Sequence, residues 1–227
     1  YQRAKPEHWR SIVGVGGYTG LGVGFSNFSF GYLSLGCQTV LKNLTPLAIY
    51  IAACFWGVEK WRVSLLSVIM VMCLACTLTV SDVRASLSGI IMALLAVGFA
   101  GCKCVTIQTL GGHYKSMQQM ALTQPFAALS ALPYVLATDA PNWYHLEKLP
   151  SAGYFYAFAS SIGSVVLVLS QYKIIEYTSA TTLGILGNGR ALFLILWGVV
   201  FLGEGSQYST RGWVGIICNV VGIFVYG

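Results

Sequence analysis

The sequence predicts an all-α membrane protein, a polytopic bundle of transmembrane helices. Of its 227 residues, 56% are hydrophobic and only 9% are charged, and the mean hydropathy is +0.70. A soluble domain carries about 25% charged residues. Most Asp, Glu, Lys and Arg residues also lie in short polar gaps between long apolar stretches. The net charge of +6 does not predict nucleic-acid binding, because the basic residues are dispersed along the chain.

Eight stretches are apolar and long enough to cross a bilayer, which takes about 20 residues per helix. The predicted spans are approximately 11–33, 35–57, 63–80, 87–110, 116–138, 151–172, 178–202 and 210–227. Outside the spans, seven Lys and Arg residues fall on the side of the first residue and three on the other. The positive-inside rule therefore predicts that both ends of the chain face the cytosol.

Two kinds of small residue recur inside the spans. Gly16, Gly20 and Gly24 follow at intervals of four, which predicts a groove where a neighbouring helix approaches closely. The seven cysteines lie mostly in apolar runs, and we expect them to act as small buried side chains and not as metal ligands or redox pairs.

An internal duplication is indicated by two matching pairs of spans, the second and third and the seventh and eighth. Each pair has a long span, an aromatic-Gly-Glu corner and a shorter span rich in Val and Ile; the corner acids Glu59 and Glu204 are 145 residues apart. We therefore expect one transmembrane domain over 1–227, with an incomplete first repeat at 1–80 and an inverted second repeat at 87–227. Two helices would be missing before Tyr1, and the intact protein would have about ten.

Three cations lie inside predicted spans: Lys42, Lys103 and Arg190. Arg190 is fourteen residues from Glu176 and from Glu204, the nearest charges along the chain. That is about 21 Å in each direction, so Arg190 is expected near the bilayer centre. Each central Lys or Arg costs about 2.5–3.5 kcal/mol on insertion scales. Every Asp and Glu lies at or near a span end, which leaves no buried carboxylate to pair with these cations.

A water-filled cavity whose occupant supplies the negative charge accounts for Lys42 and Arg190, so both are predicted to bind an anion. Lys103 is closer to a span end, where snorkelling toward the interface is an alternative. No Asp, Glu or His lies at depth to relay protons, which favours exchange of one anion for another.

Polar residues near the cations are suited to orienting a bound anion. Gln38, Asn43 and Thr45 flank Lys42, and Asn188 lies two residues before Arg190. Tyr172 precedes the seventh span, where its ring can stack on a sugar or base or anchor the helix at the interface.

These residues resemble the nucleotide-sugar and triose-phosphate translocator branch of the drug/metabolite transporter superfamily. QTVLKNLTP (38–46) is similar to the family's fourth-helix pattern, with Lys four residues before Pro. YKIIEYTSATT (172–182) resembles the family's entry into its ninth helix, and Lys103 falls where sixth helices of sugar-phosphate carriers tend to have Arg. Triose-phosphate carriers tend to have a Lys-Arg pair where this chain has Gly189 and Arg190, which favours the nucleotide-sugar carriers.

The resemblance implies ten helices in two inverted halves and a carrier of phosphorylated anions that works by alternating access. A nucleotide sugar would be exchanged for a nucleoside monophosphate across Golgi or endoplasmic reticulum membranes. Lys42 and Arg190 would bind the phosphates, Lys103 and Tyr172 would assist, and Asn188 would orient the sugar or base. A sugar-phosphate/phosphate antiporter, with the plastid envelope as its membrane, is the alternative.

Three other classes of protein were weighed. A cationic-drug exporter would need a membrane-embedded acid, and a membrane enzyme would need a nucleophile-base pair or a metal cluster; a non-transporting remnant of the family stays open. We expect no catalytic residue, metal, cofactor or nucleic-acid partner. The expected partners are a small anionic substrate and the lipid bilayer, and a homodimer is left open.

Overall fold

The structure, a computed structural model, describes residues 5–33, 38, 41–78, 86–138 and 151–201, and beyond them residues 210, 211, 213–215, 217, 218 and 221. Residues 5–201 of this set form seven long helices, preceded by a 3-10 turn at Pro6–His8. The helices are α1 (Trp9–Phe30), α2 (Thr45–Phe55), α3 (Val63–Leu78), α4 (Leu87–Gly111), α5 (Ser116–Thr138), α6 (Ser151–Tyr177) and α7 (Ala180–Phe201).

The predicted fold class is confirmed: this is a polytopic helical membrane protein. Helices α4, α5 and most of α6 are apolar and long enough to cross a bilayer. Six of the eight predicted spans coincide with described helices to within a few residues. Within the predicted span 35–57, a turn at residues 43 and 44 precedes α2. The predicted eighth span lies largely outside the described residues, and the ten-helix total and the inverted repeats stay predictions.

Helix α1 packs closely against α5 through its glycines. A Cβ added at Gly16 or at Gly20 would lie 2.8 or 2.7 Å from backbone atoms of α5. One at Gly24 would make ordinary van der Waals contacts at 3.7 Å. Ser130 also donates a hydrogen bond of 2.8 Å to the carbonyl oxygen of Gly16. The predicted groove is therefore confirmed at Gly16 and Gly20.

Helix α2 crosses between α4 and α7 at two further glycines. A Cβ at Gly101 of α4 would lie 2.9 Å from the carbonyl group of Ala48, and one at Gly184 of α7 would lie 3.0 Å from the Cα of Pro46. Backbones this close hold the start of α2 at a fixed depth between the other two helices.

One end of the bundle carries many of the described basic residues. At this end the His8 ring lies 3.0 Å from the Tyr114 hydroxyl, and the Glu176 carboxylate accepts a 3.1 Å hydrogen bond from the Ser116 N–H. These contacts bring the start of α1, the α4–α5 turn and the end of α6 together. The exposed basic side chains at this end are Lys5, Arg10, Lys60, Arg62, Lys115 and Lys173. The cytosolic orientation of this basic end of the bundle stays a prediction.

Replacing Gly20 by Ala is expected to destabilise the protein. The added methyl group would force α1 and α5 apart, and overpacking of this kind costs about 1–3 kcal/mol. The measurement is the apparent Tm of purified protein in detergent. Gly17→Ala is the matched control, because nothing lies within 4 Å of a Cβ at Gly17. Equal Tm values for the two variants would contradict the close packing of α1 on α5.

Candidate functional site

Lys42 lies at a break in the backbone immediately before α2. Residues 38, 41 and 42 are helical, residues 43 and 44 form a turn, and α2 begins at Thr45. In a continuous helix the carbonyl oxygen of Lys42 would accept a hydrogen bond from residue 46. Pro46 has no N–H to donate, and the hydroxyl of Thr45 donates to that carbonyl oxygen in its place. The Thr-Pro dipeptide therefore explains the break.

The side chain of Lys42 is exposed and lies beside the end of α1. Its ammonium nitrogen is 4.8 Å from the centre of the Phe30 ring, within the range of a cation–π contact. Among the described residues no carboxylate forms an ion pair with Lys42. One turn earlier, the side-chain amide of Gln38 donates two 2.8 Å hydrogen bonds to α1, to the Ser26 carbonyl oxygen and the Ser29 hydroxyl. These bonds hold Gln38 against α1, and its predicted part in orienting an anion stays a prediction.

The break also directs the amino terminus of α2 toward the region of Lys42. The residue before α2, Leu44, gives no side-chain hydrogen bond to cap it. The first N–H groups of a helix carry about half a positive charge from the helix dipole. Lys42 lies three residues before this helix start, so the segment carries both a full and a partial positive charge, a combination that suits an anion such as a phosphate.

Helix α7 places the backbone of Arg190 at about the same depth in the membrane as the backbone of Lys42. Ala180 belongs to the same buried cluster as Ala52, whereas Gly184 contacts Pro46, so α2 and α7 run antiparallel. Arg190 lies six residues beyond Gly184, about 9 Å along the helix. Lys42 lies four residues before Pro46. Because the two helices are antiparallel, Lys42 and Arg190 are displaced from the Pro46–Gly184 contact toward the same side of the membrane.

In this antiparallel register, position 188 of α7 lies level with Lys42, and position 190 is less than one turn further. The side chains of Asn188 and Arg190 lie outside the described residues. Their predicted roles in binding the anion stay predictions, as does that of Lys42.

Lys103 lies elsewhere on the bundle. It is half-buried on α4, eight residues or about 12 Å before the helix ends at Gly111. Phe99, one turn earlier, stacks its ring against aromatic rings of α1, and Lys103 continues that stripe. Helix α2 contacts a different face of α4, at Gly101. Lys103 is therefore not brought beside Lys42, and both assistance in binding and snorkelling stay open for it.

Tyr172 is buried in the core between α5 and α6. Its ring is 1% exposed, and its hydroxyl lies 2.7 Å from that of Thr123. The Thr123 hydroxyl uses its own proton to bond the carbonyl oxygen of Gln119 at 2.9 Å, so Tyr172 is the donor to Thr123. This placement gives Tyr172 a packing role, and its predicted assistance to substrate stays untested.

The start of α7 is held by contacts that the sequence analysis did not identify. Gln108 of α4 accepts a 2.9 Å hydrogen bond from the Ala180 N–H, and Ser179 accepts one of 3.1 Å from the Thr182 N–H. Ser179 could have been recognised as a helix cap from its residue type. The contact of Gln108 spans 72 residues of sequence, and no local pattern indicates it.

The described helices define a multi-pass helical membrane protein. A family model described as the EamA-like transporter family matches residues 87–227. The chain belongs to that family. The predicted resemblance to nucleotide-sugar and triose-phosphate translocators is confirmed by its curated relatives.

Curated relatives are similar to this chain along most of its length. UDP-xylose transporter 2 of Arabidopsis thaliana is 24% identical over 98% of this chain and 64% of its own length. A probable sugar phosphate/phosphate translocator of the same plant is 28% identical over 84% of this chain and 56% of its own length. Solute carrier family 35 member E4 of Rattus norvegicus is 31% identical over 56% of this chain and 40% of its own length. The chain thus spans less than two thirds of the length of these relatives.

The buried position of Tyr172 generates a test. Tyr172→Phe removes the hydrogen bond to Thr123 and is expected to lower the free energy of unfolding by about 1 kcal/mol. Apparent Tm values in detergent measure the effect. Tyr177→Phe is the control on the same helix, because Tyr177 is 77% exposed. A Tm unchanged in Tyr172→Phe while substrate affinity falls would reverse the assignment and make Tyr172 a ligand of the substrate.

Proposed function

We propose that this protein is a secondary transporter that exchanges phosphorylated organic anions by alternating access. A nucleotide sugar exchanged for a nucleoside monophosphate is the proposed pair of cargoes. Support comes from the names of the relatives, several of which are UDP-sugar transporters, and from their similarity to nearly all of this chain.

The observation that carries the proposal is the position of Lys42. Its backbone lies three residues before the start of α2, at about the depth where α7 carries Arg190; its ammonium contacts the Phe30 ring, and no described carboxylate forms an ion pair with it. Unpaired cations at membrane depth mark substrate pathways. A diphosphate bridging Lys42 and Arg190 would supply the missing negative charge.

Exchange, and not proton coupling, follows from the same charges. The described histidines, His8 and His113, lie at the end of the bundle near Tyr114 and not at the depth of Lys42. An empty cationic site is costly to close without water. The site therefore returns across the membrane only when a second anion occupies it.

Sugar-phosphate/phosphate antiport is the second candidate function. A relative bearing that description is 28% identical to this chain, slightly above the UDP-xylose transporter. In both functions Lys42 and Arg190 would bind the phosphate groups. The functions differ in the part of the substrate attached to the phosphate, which is a sugar and nucleoside in one and a sugar alone in the other. The Golgi or endoplasmic reticulum is the proposed location for the first function and the plastid envelope for the second, with both termini in the cytosol.

Counter-exchange in proteoliposomes tests the proposal, using the longest open reading frame that contains this chain. Vesicles are preloaded with nucleoside monophosphate or inorganic phosphate and offered labelled nucleotide sugars or sugar phosphates. Lys42→Ala and Arg190→Ala are each expected to raise the KM at least about tenfold, because each removes a charge-assisted contact to phosphate. Lys60→Ala is the matched control, since Lys60 is an exposed lysine at the end of the bundle.

Uptake that requires internal monophosphate supports nucleotide-sugar exchange. Uptake that requires internal phosphate moves the protein to the sugar-phosphate function. Absence of exchange with either load, from protein shown to be folded, would contradict both.

A further inference from the structure

A cleft lies between α5 and α6, apart from Lys42 and α2. Its volume is about 820 Å³. It begins beside Lys115, which precedes α5, and continues along one stripe of that helix to Gln124. This stretch is about 13 Å long at 1.5 Å per residue.

The walls of the cleft are mainly apolar, and its mouth is basic. Met117, Met120 and Ala121 line it from α5, and Val165 and Leu169 line it from α6. His113 and Lys115 lie at the end where the exposed basic residues of the bundle collect. An apolar slot with a cation at one end matches a molecule with a hydrocarbon tail and an anionic head.

The surroundings of the cleft favour a lipid over a water-soluble anion. The neighbouring α6 side chains Ile162 and Val166 are 51% and 59% exposed, so the outer surface beside the cleft is apolar. Glu176 is the one described acid on α6, and its carboxylate is held by the Ser116 N–H and hydroxyl. These hydrogen bonds leave the carboxylate charged, but Lys115 and Lys173 both lie near it, so the net charge at the mouth is positive. Basic pockets between transmembrane helices on the cytosolic side are suited to anionic lipid head groups.

We propose that the α5–α6 cleft binds an anionic phospholipid from the leaflet at the Lys115 end. The phosphate pairs with Lys115, and one acyl chain lies along Met117, Met120 and Ala121 against α6. The bound lipid would fill the space between α5 and α6 that the protein leaves open beside the Tyr172–Thr123 contact.

Native mass spectrometry of the detergent-purified full chain tests this proposal without a transport assay. The protein is titrated with phosphatidylserine and, separately, with phosphatidylcholine. Lys115→Ala is expected to weaken phosphatidylserine binding about fivefold, the effect of one basic residue at an anionic head group. The change should leave phosphatidylcholine binding nearly unaltered. Lys60→Ala, which changes an exposed lysine away from the cleft, should bind phosphatidylserine as the native chain does.

A second pair of variants tests the acyl-chain part of the cleft. Ala121→Trp fills the slot and should abolish tight binding of both lipids. Ala137→Trp places the same side chain at an exposed position of α5, thirteen residues beyond Gln124 and off the stripe that lines the cleft, and should not. A Tm measurement on each variant shows that the protein is folded.

Three results would overturn the proposal. They are equal affinity for the two lipids in the native chain, unchanged binding in Lys115→Ala, and displacement of phosphatidylserine by inorganic phosphate at low millimolar concentration. The last result would make the cleft a site for a soluble anion. Because the readout is lipid binding, failure of this proposal is distinguishable from failure of the transport function.

Discussion

The close crossing of α2 between α4 and α7 is the constraint on which the candidate site depends. Because Gly101 and Gly184 have no Cβ, the backbones of α4 and α7 can lie close to the start of α2. A Cβ added at either glycine would be about 3 Å from the backbone of α2. In a bilayer, where apolar side chains gain little by leaving lipid, such small-residue contacts are what hold helices together. They fix the depth of Pro46, and Pro46 in turn fixes where the helix breaks and where Lys42 lies.

The chemistry follows from that geometry. A proline that cannot donate its N–H interrupts the helix, and the threonine before it satisfies the free carbonyl group. The interruption lies immediately after Lys42, whose ammonium group contacts the Phe30 ring and forms no ion pair with a described carboxylate. Irregular backbone at membrane depth is tolerated where it lines a cavity, and broken helices commonly form the substrate sites of transporters. The feature that interrupts the helix is therefore also the one at which we propose the anion site.

Much of the fold could be predicted because bilayer helices are long and apolar. Hydropathy located α1 and α3–α7, and the four-residue glycine spacing identified the face of α1 that meets α5. The break before α2 could not be located from hydropathy, because 35–57 is one apolar stretch by that measure. The pairing of α2 with α7 and the cap from Gln108 depend on residues far apart in sequence, which no local pattern reveals. Tyr172 shows the opposite difficulty, since a tyrosine near a span end has the same local pattern whether it binds a sugar, anchors the helix or packs in the core.

A cysteine cross-linking scan measures the depth relation between Lys42 and α7 directly. In a cysteine-free background, a cysteine at position 42 is paired in turn with one at each position from 184 to 195, and a short bifunctional maleimide is added. Cross-links are expected to centre on positions 187–191, level with Asn188 and Arg190. Cross-links centred on 184 or on 195 would contradict this depth relation, because Lys42 and Arg190 would then lie too far apart in depth to hold one anion.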